Sequence, residues 1–545
     1  MTTETHSSHT SDEFRARLNR LIDTGIALSA ELDLNKLLEK IVHHARKLTN
    51  ADAGTLYLLI ENRLHFRIIQ NDSLGVFRGG TRAHINLPPV DLDKGNVSAY
   101  AALTGETVAI EDVYESDKFD FTGPRKYDAR TGYRSRSMLV VPMKNHKEEC
   151  IGVLQLLNAT DPETGQIIPF PQETVDLVRA LTSQAAVAIT NATLIRETKN
   201  LFESLIKVLA VSVDAKSHYT GNHVQRVAEF NVWLARAVNQ TDDGPLKDIR
   251  FSEDEMEEIR LAGWLHDVGK VVTPVWVMDK ATKLEAIVDR IEIVKLRLEL
   301  AKSIETADAY RKQISLFEYS GPENGQTRED IDAGLKQKLR EIDEMSDFIA
   351  ACNQPNQFME DESIEKLSEI AQKTYTLNGR KYPYITGDEL HSLITRKGSL
   401  TRKEIEIMRD HVVWTRKMLE EIPFKGALAH VPLYAGQHHE KLDGSGYPLG
   451  LSADKLSIQS RILAISDFYE ALSAKDRPYK KPMSEEKILS ILTSAAEHGE
   501  IDKEILNMMI KKKVHSHFER EYGEQLRKES AEETIYFSRL RSKNK

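Results

Sequence analysis

Apolar residues along this chain run first in a helical rhythm, then in a strand rhythm, then in a helical rhythm again. Leu34, Leu37, Leu38, Ile41, Val42, Ala45 and Leu48 recur at three and four residues, the spacing of one face of an amphipathic helix. Short β-favouring runs follow at 54–60, 64–70, 138–143 and 151–158, with Gly and Asp between them. From 173 to about 216 no Gly or Pro interrupts a helical pattern that carries Val175, Val178, Ala185, Ile189, Ala192, Ile195, Leu205 and Val208. Mixed spacings of three and four over so many turns suit a parallel seam between two subunits, the alternative being a helix packed on its own domain. Further on, Ile287, Ile291, Val294 and Leu298 mark an amphipathic helix that opens a segment at 280–395, with turn-rich breaks at 321–326 and 353–357. The pattern predicts a multidomain chain: an α+β unit, then an all-α bundle with an α-helical insertion.

Composition narrows the class. A length of 545 residues exceeds one core and suggests roughly three domain-sized units. With 40% apolar and 29% charged residues the chain reads as globular, and a net charge of -10 argues against a protein that coats nucleic acid. Lys511, Lys512 and Lys513 read as a solvated helix face. Cys150 and Cys352 cannot build a disulfide framework, which fits a reducing cytoplasm. The polar N-terminus lacks a signal-peptide core, and no apolar run approaches the ~20 residues of a membrane span. The expectation is a cytoplasmic protein with no membrane or nucleic-acid partner, a disordered tail at 1–14 and a charged tail at 516–545.

The chemistry is concentrated around LAGWLHDVGK, residues 261–270, where an apolar helix delivers His266 and Asp267 side by side before Gly269 breaks it. An adjacent imidazole and carboxylate can hold a metal, but His43 and His44, paired on an ordinary helix, warn that adjacency alone says little. Weight comes from what accompanies the pair. TGNHVQRVAEF places His223 at the start of a helix whose Val224, Val227 and Leu234 point inward, and MRDHVVWTRKML carries His411 with Val412, Val413 and Met418 as buried neighbours. AGQHHEKLDGSGYP supplies His438 and His439 before a Gly-rich turn closed by Tyr447 and Pro448, and RILAISDFYEAL buries Asp467 in an apolar helix face, where an unpaired carboxylate is costly. Five imidazoles and two carboxylates suit two divalent metals with one carboxylate and a water between them, not a Cys-rich structural zinc site. Asp267 is the natural bridge, since a carboxylate can span two cations, and Lys270 lies one turn from His266.

Two resemblances sharpen this reading. ADAGTLYLL at 51–59, TGYRSRSMLVVPM at 131–143 and IGVLQLLNA at 151–159 resemble a GAF domain over about 15–195. The resemblance implies a regulatory small-molecule pocket and a dimerisation module, with 173–216 as the signalling helix of a homodimer. Members that bind cyclic mononucleotides carry Asn-Lys late in the domain; here Asn158 is followed by Ala159, and Phe170 by Pro171, Gln172 and Glu173, which leaves the GAF ligand unassigned.

The second resemblance is to the HD-GYP family of the HD phosphohydrolase superfamily, within 200–515, through His223, His266, Asp267, Lys270, His411, His438, His439, Asp443, Gly446, Tyr447, Pro448, Asp467 and the segment DRPYK at 476–480. It implies hydrolysis of a cyclic dinucleotide, cyclic di-GMP or cyclic GMP-AMP. It also implies that His223, His266, Asp267, His411, His438, His439 and Asp467 are metal ligands, with iron or manganese as the metals. Lys270 would face the reacting phosphate, and Tyr447, Arg477 and Lys480 would hold substrate. Tyr219 stands where some members place a third-metal Glu, so two metals are expected. The segment after Asp467 is one residue longer than the common form. The long connection between Lys270 and His411 is expected to pack over or beside the cleft and control access. Two other functions fit the same residues: a non-catalytic nucleotide-binding interaction protein, and a phosphohydrolase of a cyclic mononucleotide.

Overall fold

The computed structural model describes residues 21–216, 222–318, 327–356, 358–474 and 483–523. The chain divides into two compact units, Met1–Glu203 and Ser204–Lys545. Among the described residues no helix is long and apolar enough to cross a membrane.

In the first unit the stripe beginning at Leu34 forms α1 (Leu34–Thr49), with the Asp33 carboxylate capping its first turn through Lys36 N. An antiparallel sheet follows, built from β1 (Ala51–Ile60), β2 (Arg63–Asn71), β3 (Val76–Gly79), β4 (Val90–Asp91), β5 (Val108–Ile110), β6 (Met138–Lys144), β7 (Cys150–Thr160) and β8 (Ile167–Ile168). The spatial order is β3-β2-β1-β7-β6-β5, with β4 beside β2 and β8 beside β7. The four long strands cover the β-favouring runs at 54–60, 64–70, 138–143 and 151–158. The others have two to four residues, too short for a period to register. Helices α2 (Val97–Thr104) and α3 (Thr122–Thr131) lie between β4 and β6 in the chain, and Val97, Ala101, Phe121, Met138, Val140 and Val153 share one apolar cluster.

A second cluster joins α1 and the sheet to α4 (Gln172–Asp214). Val175, Val178, Ala185, Ile189 and Ala192 are buried in it, so this half of the expected intersubunit seam is the domain's own core. The helix doubles as a layer on the sheet, which a periodicity argument cannot distinguish from a dimer contact. Ile195, Leu205 and Val208 are 53%, 53% and 61% exposed.

The second unit begins with α5 (His223–Asn239) and α6 (Glu253–Leu265), the latter started by a reciprocal Ser252/Glu255 capping box, and continues through the one-turn α7 (Val275–Met278). The insertion follows: α8 (Ile291–Glu318), α9 (Arg328–Cys352), α10 (Asp361–Gln372), a hairpin of β9 (Thr374–Leu377) and β10 (Arg380–Pro383), and α11 (Gly387–Leu393). It owns a core, in which Leu284, Val294, Leu298, Ile342, Ile349, Leu367 and Leu393 are buried together. Two expectations are corrected. The insertion is not purely helical, because Tyr375 and Tyr384, at the two ends of the hairpin region, reach the same core. Ile287 is 92% exposed and precedes the helix, whose apolar stripe starts at Ile291. The break at 321–326 lies outside the described residues, as does Gln357.

The chain returns as α12 (Arg402–Glu420), α13 (Val431–Ala435), α14 (Ile458–Ser473), α15 (Glu485–Glu497) and α16 (Lys503–Lys511). Phe230, Leu234, Ile462, Ile465, Leu492, Ile505 and Met509 form the bundle core. Phe518 and Tyr522 are buried in it too, so the bundle extends past the expected boundary at 515, and residues 516–523 are structure instead of tail. Residues 1–14 and the remainder of the C-terminal tail lie outside the described residues.

Candidate metal centre

Five elements deliver the site. His223 opens α5, His266 and Asp267 follow directly on α6, His411 lies in the middle of α12, His438 and His439 follow α13, and Asp467 sits in α14. The helix that delivers the His-Asp pair ends at Leu265, and a 3-10 turn, Val268–Val272, takes over. Gly269 has a different job from breaking the helix: a Cβ there would meet His411 O at 2.0 Å and Thr415 N at 2.5 Å. Its lack of a side chain lets α12 touch the turn. Thr415, one turn beyond His411, then locks the contact, accepting from Gly269 N at 2.9 Å and donating to His266 O at 3.0 Å. Of the expected neighbours of His411, Val412 is buried, whereas Val413 and Met418 are half-buried. The third buried contact on that face is Thr415, with Leu419 beyond it.

All seven expected ligands converge. His223, His266 and Asp267 bring ligand atoms within 4.8 Å of one another, as do His411, His438 and His439. Asp267 faces both groups. Its Oδ2 lies 3.4 Å from Nε2 of His223 and of His266, and its Oδ1 lies 3.3 Å from His411 Nε2 and 3.9 Å from His438 Nε2. Asp467 spans them in parallel, with Oδ1 3.4 Å from His223 Nε2 and Oδ2 3.9 Å from His439 Nδ1.

The rings are oriented by their far nitrogens. Nδ1–H of His266, His411 and His438 donates to the carbonyl three residues earlier, Gly263 O at 2.7 Å, Met408 O at 2.5 Å and Ala435 O at 2.7 Å. His223 Nδ1 instead meets the carboxylate of Glu470. With Nδ1 of His266, His411 and His438 committed to the proton, Nε2 of each of these rings, when neutral, presents a lone pair inward, the arrangement that metal-binding imidazoles use. Nε2 of His266, His411 and His438 and Oδ1 of Asp267 are buried and make no hydrogen bond. Lone pairs held this close in a buried site repel unless a cation lies between them. Spacings near 3.4 Å also match the edge of a coordination shell with bonds of about 2.1 Å. The donor set fits divalent metal.

The electrostatics are those of a cation site. Burial opposes ionisation of Asp267, yet Lys270, His266 and His223 outweigh it and hold the carboxyl well below its ordinary range. Asp467 is likewise held down, against its burial, by His223, His266 and His439. Burial pushes His438 well down and His439 to about 4, leaving both neutral and ready to donate a lone pair. His223 is driven the other way: despite burial, the carboxylates of Asp267, Asp467 and Glu470 raise it well above the ordinary value. Lys270 donates to Asp267 Oδ2 at 2.5 Å, and that carboxylate raises its pKa against the opposing effect of burial.

Tyr447 closes one side. Its N donates to His439 O at 3.2 Å and its ring packs on that imidazole with centroids 4.8 Å apart. The loop is folded tightly: a Cβ on Gly446 would sit 2.3 Å from Lys441 N, and the Glu440 carboxylate accepts from Leu449 N and Leu451 N at 2.6 and 2.8 Å. Asp443 faces solvent and accepts from Ser445 N within the turn. Arg477 and Lys480, expected to hold substrate, and Tyr219, the expected departure at the third-metal position, lie outside the described residues.

Three contributors escaped the sequence reading. Glu470 is one turn along α14 from Asp467, and that i,i+3 pairing of carboxylates on an apolar helix was the available signal. Thr415 gave none, being a hydroxyl in an ordinary helix. Arg409 stacks its guanidinium on the Tyr447 ring at 4.9 Å, a contact made across two distant segments.

Comparison with known proteins agrees with this architecture. A GAF-domain family model matches residues 33–189, and two HD-domain family models match 220–336 and 380–505. The chain therefore carries a GAF domain followed by an HD domain. The gap between the two HD matches falls inside the insertion. Among curated proteins it is 38% identical to 3'3'-cGAMP-specific phosphodiesterase 3 of Vibrio cholerae, over 21% of this chain and 24% of that protein. It is 29% identical to 3'3'-cGAMP-specific phosphodiesterase 1 of the same organism, over 28% of this chain and 37% of that protein. The chain thus spans well under two thirds of either relative. Among solved structures, the GAF domain from an Acinetobacter phosphoenolpyruvate-protein phosphotransferase matches over 33% of this chain and 98% of its own, at 17% identity and a TM-score of 0.26.

Proposed function

We propose that this chain is a metal-dependent phosphodiesterase of a cyclic dinucleotide, cyclic di-GMP or cyclic GMP-AMP, regulated through its GAF domain and acting as a homodimer. The observation that carries the reading is Asp267, a buried carboxylate with one oxygen toward His223 and His266 and the other toward His411 and His438. The names of the two cGAMP phosphodiesterases it partly matches support the substrate class.

In this reading His223, His266, Asp267, His411, His438, His439 and Asp467 would hold two divalent metals, iron or manganese by their mixed N and O donors. Two bound metals supply a hydroxide nucleophile and neutralise charge on the phosphate. The protein's part is to fix the phosphodiester. Tyr447 walls the site at His439, and Lys270 keeps its proton beside Asp267, where the ammonium can meet the phosphate or donate to the departing ribose oxygen as the P–O bond breaks. Arg477 and Lys480 would supply cations for the second phosphate. Exposed Ile195, Leu205 and Val208 on α4 would form the dimer seam. The test is incubation of anaerobically reconstituted Fe(II) or Mn(II) protein with a panel of cyclic di- and mononucleotides, separating the products. Linear dinucleotide or mononucleotide from a cyclic dinucleotide is expected. Turnover of cyclic mononucleotides alone, or tight binding without product, would replace this reading with one of its alternatives.

A further inference from the structure

The end of α4 and the turn that follows it carry two side chains of opposite charge, Asp214 and Lys216, and each grips a different element of the metal centre. Asp214 is buried, and its Oδ2 accepts from Val224 N at 3.2 Å, in the first turn of α5 beside His223. The residue at the usual capping position, Asn222, makes no side-chain cap bond. A carboxylate from another helix therefore serves one of the free N–H groups at the positive end of α5. Lys216 does the converse. Its Nζ donates to Lys270 O at 3.2 Å, Val271 O at 2.5 Å and Thr273 O at 2.7 Å, collecting carbonyls at the C-terminal end of the 3-10 turn Val268–Val272. An ammonium is the group that the negative end of a helical turn favours.

The consequence follows from what those two turns carry. His223 presents Nε2 to both Asp267 and Asp467. Lys270 presents Nζ to Asp267 Oδ2. We propose that Asp214 and Lys216 are positioning residues that fix the placement of His223 and Lys270, so that the end of α4 sets the catalytic competence of the HD site. The inference rests on the phosphodiesterase reading for its rate effect, but the mechanical link is defined by hydrogen bonds alone. Neither residue touches the reacting atoms; each acts through the backbone it holds. A displacement of the end of α4 by a fraction of an ångström would be felt at an imidazole and at an ammonium together.

The experiment uses the full-length, Mn(II)-loaded protein as Lys216→Met, Lys216→Arg, Asp214→Ala and Asp214→Asn. Metal content, melting temperature, kcat and KM are measured on the preferred cyclic dinucleotide and on bis(p-nitrophenyl) phosphate, a small diester. Hydrogen–deuterium exchange is followed in peptides covering 223–227 and 266–273. Lys216→Met should retain metal and melting temperature, lose roughly 100-fold in kcat, as misplacement of a catalytic group does, and leave KM unchanged. Its faster exchange should be confined to 266–273. Lys216→Arg, which can still donate to several carbonyls, should recover most of the rate, and Asp214→Asn should recover more than Asp214→Ala, whose faster exchange falls on 223–227. Unchanged rates and exchange would overturn the proposal. So would a uniform loss of metal, melting temperature and protection, which is the mark of a merely structural role. If the wild-type protein cleaves neither diester, the phosphodiesterase reading fails, and localised exchange in the variants still decides the positioning link.

Discussion

At the scale of residues, the site is a problem of where lone pairs can point. Three imidazoles and one carboxylate oxygen direct buried lone pairs at each other, and Asp267 stands between the two groups. Asp267→Ala should therefore abolish turnover and lower metal content together, as measured by elemental analysis on the same sample as the assay. Lys270→Ala should separate these, keeping metal while losing rate, because a protonated lysine is no ligand. Glu470→Gln, which weakens the group that orients His223, should lower metal affinity by about 10- to 100-fold in a chelator competition. Gly269→Ala tests the packing: its Cβ would overlap α12, and a loss of about 1–3 kcal/mol is expected in a denaturant titration. The seven residues that converge were legible in the sequence because each is a chemically marked residue in or beside an apolar helix. Glu470 and Thr415 were not, since their role depends on what faces them after folding.

At the scale of elements, long periodic segments were readable and short or composite ones were not. The stripe from Leu34 fell where its helical spacing placed it and the four long strands where the β-favouring runs placed them, whereas the strands of two to four residues were too short to register. The 173–216 helix was read as an intersubunit seam in preference to a helix packed on its own domain; its first half packs on its own sheet, whereas Ile195, Leu205 and Val208 are exposed, a division invisible to spacing. The insertion was assigned from one amphipathic stripe and turned out to have a separate core with a β-hairpin. Its ends are joined at the neck: Ser399 Oγ donates to Lys280 O at 2.8 Å, and buried Lys280 pairs with Glu404 at 2.7 Å. Because the core is its own and the ends already touch, replacing 282–395 with a short Gly-Ser linker should leave metal content and the bundle's cooperative melt intact. Its effect on KM across the nucleotide panel then tests whether the insertion controls access to the cleft. Loss of metal binding on excision would show instead that the insertion supports the site.

At the scale of the whole molecule, a GAF domain and an HD domain share one chain, and α4, 172–214, begins within the GAF match and ends shortly before the first HD match. The HD domain brings five imidazoles and two carboxylates from five segments of the chain together, and that convergence is what the functional reading stands on. The most direct test is a titration of metal-stripped protein with Mn(II) under anaerobic conditions, following linear product from a cyclic dinucleotide against bound metal. The account predicts that activity saturates at two ions per chain in the wild type and is absent from Asp267→Ala at every loading. Product formed at full rate with one ion bound, or undiminished in Asp267→Ala, would contradict it.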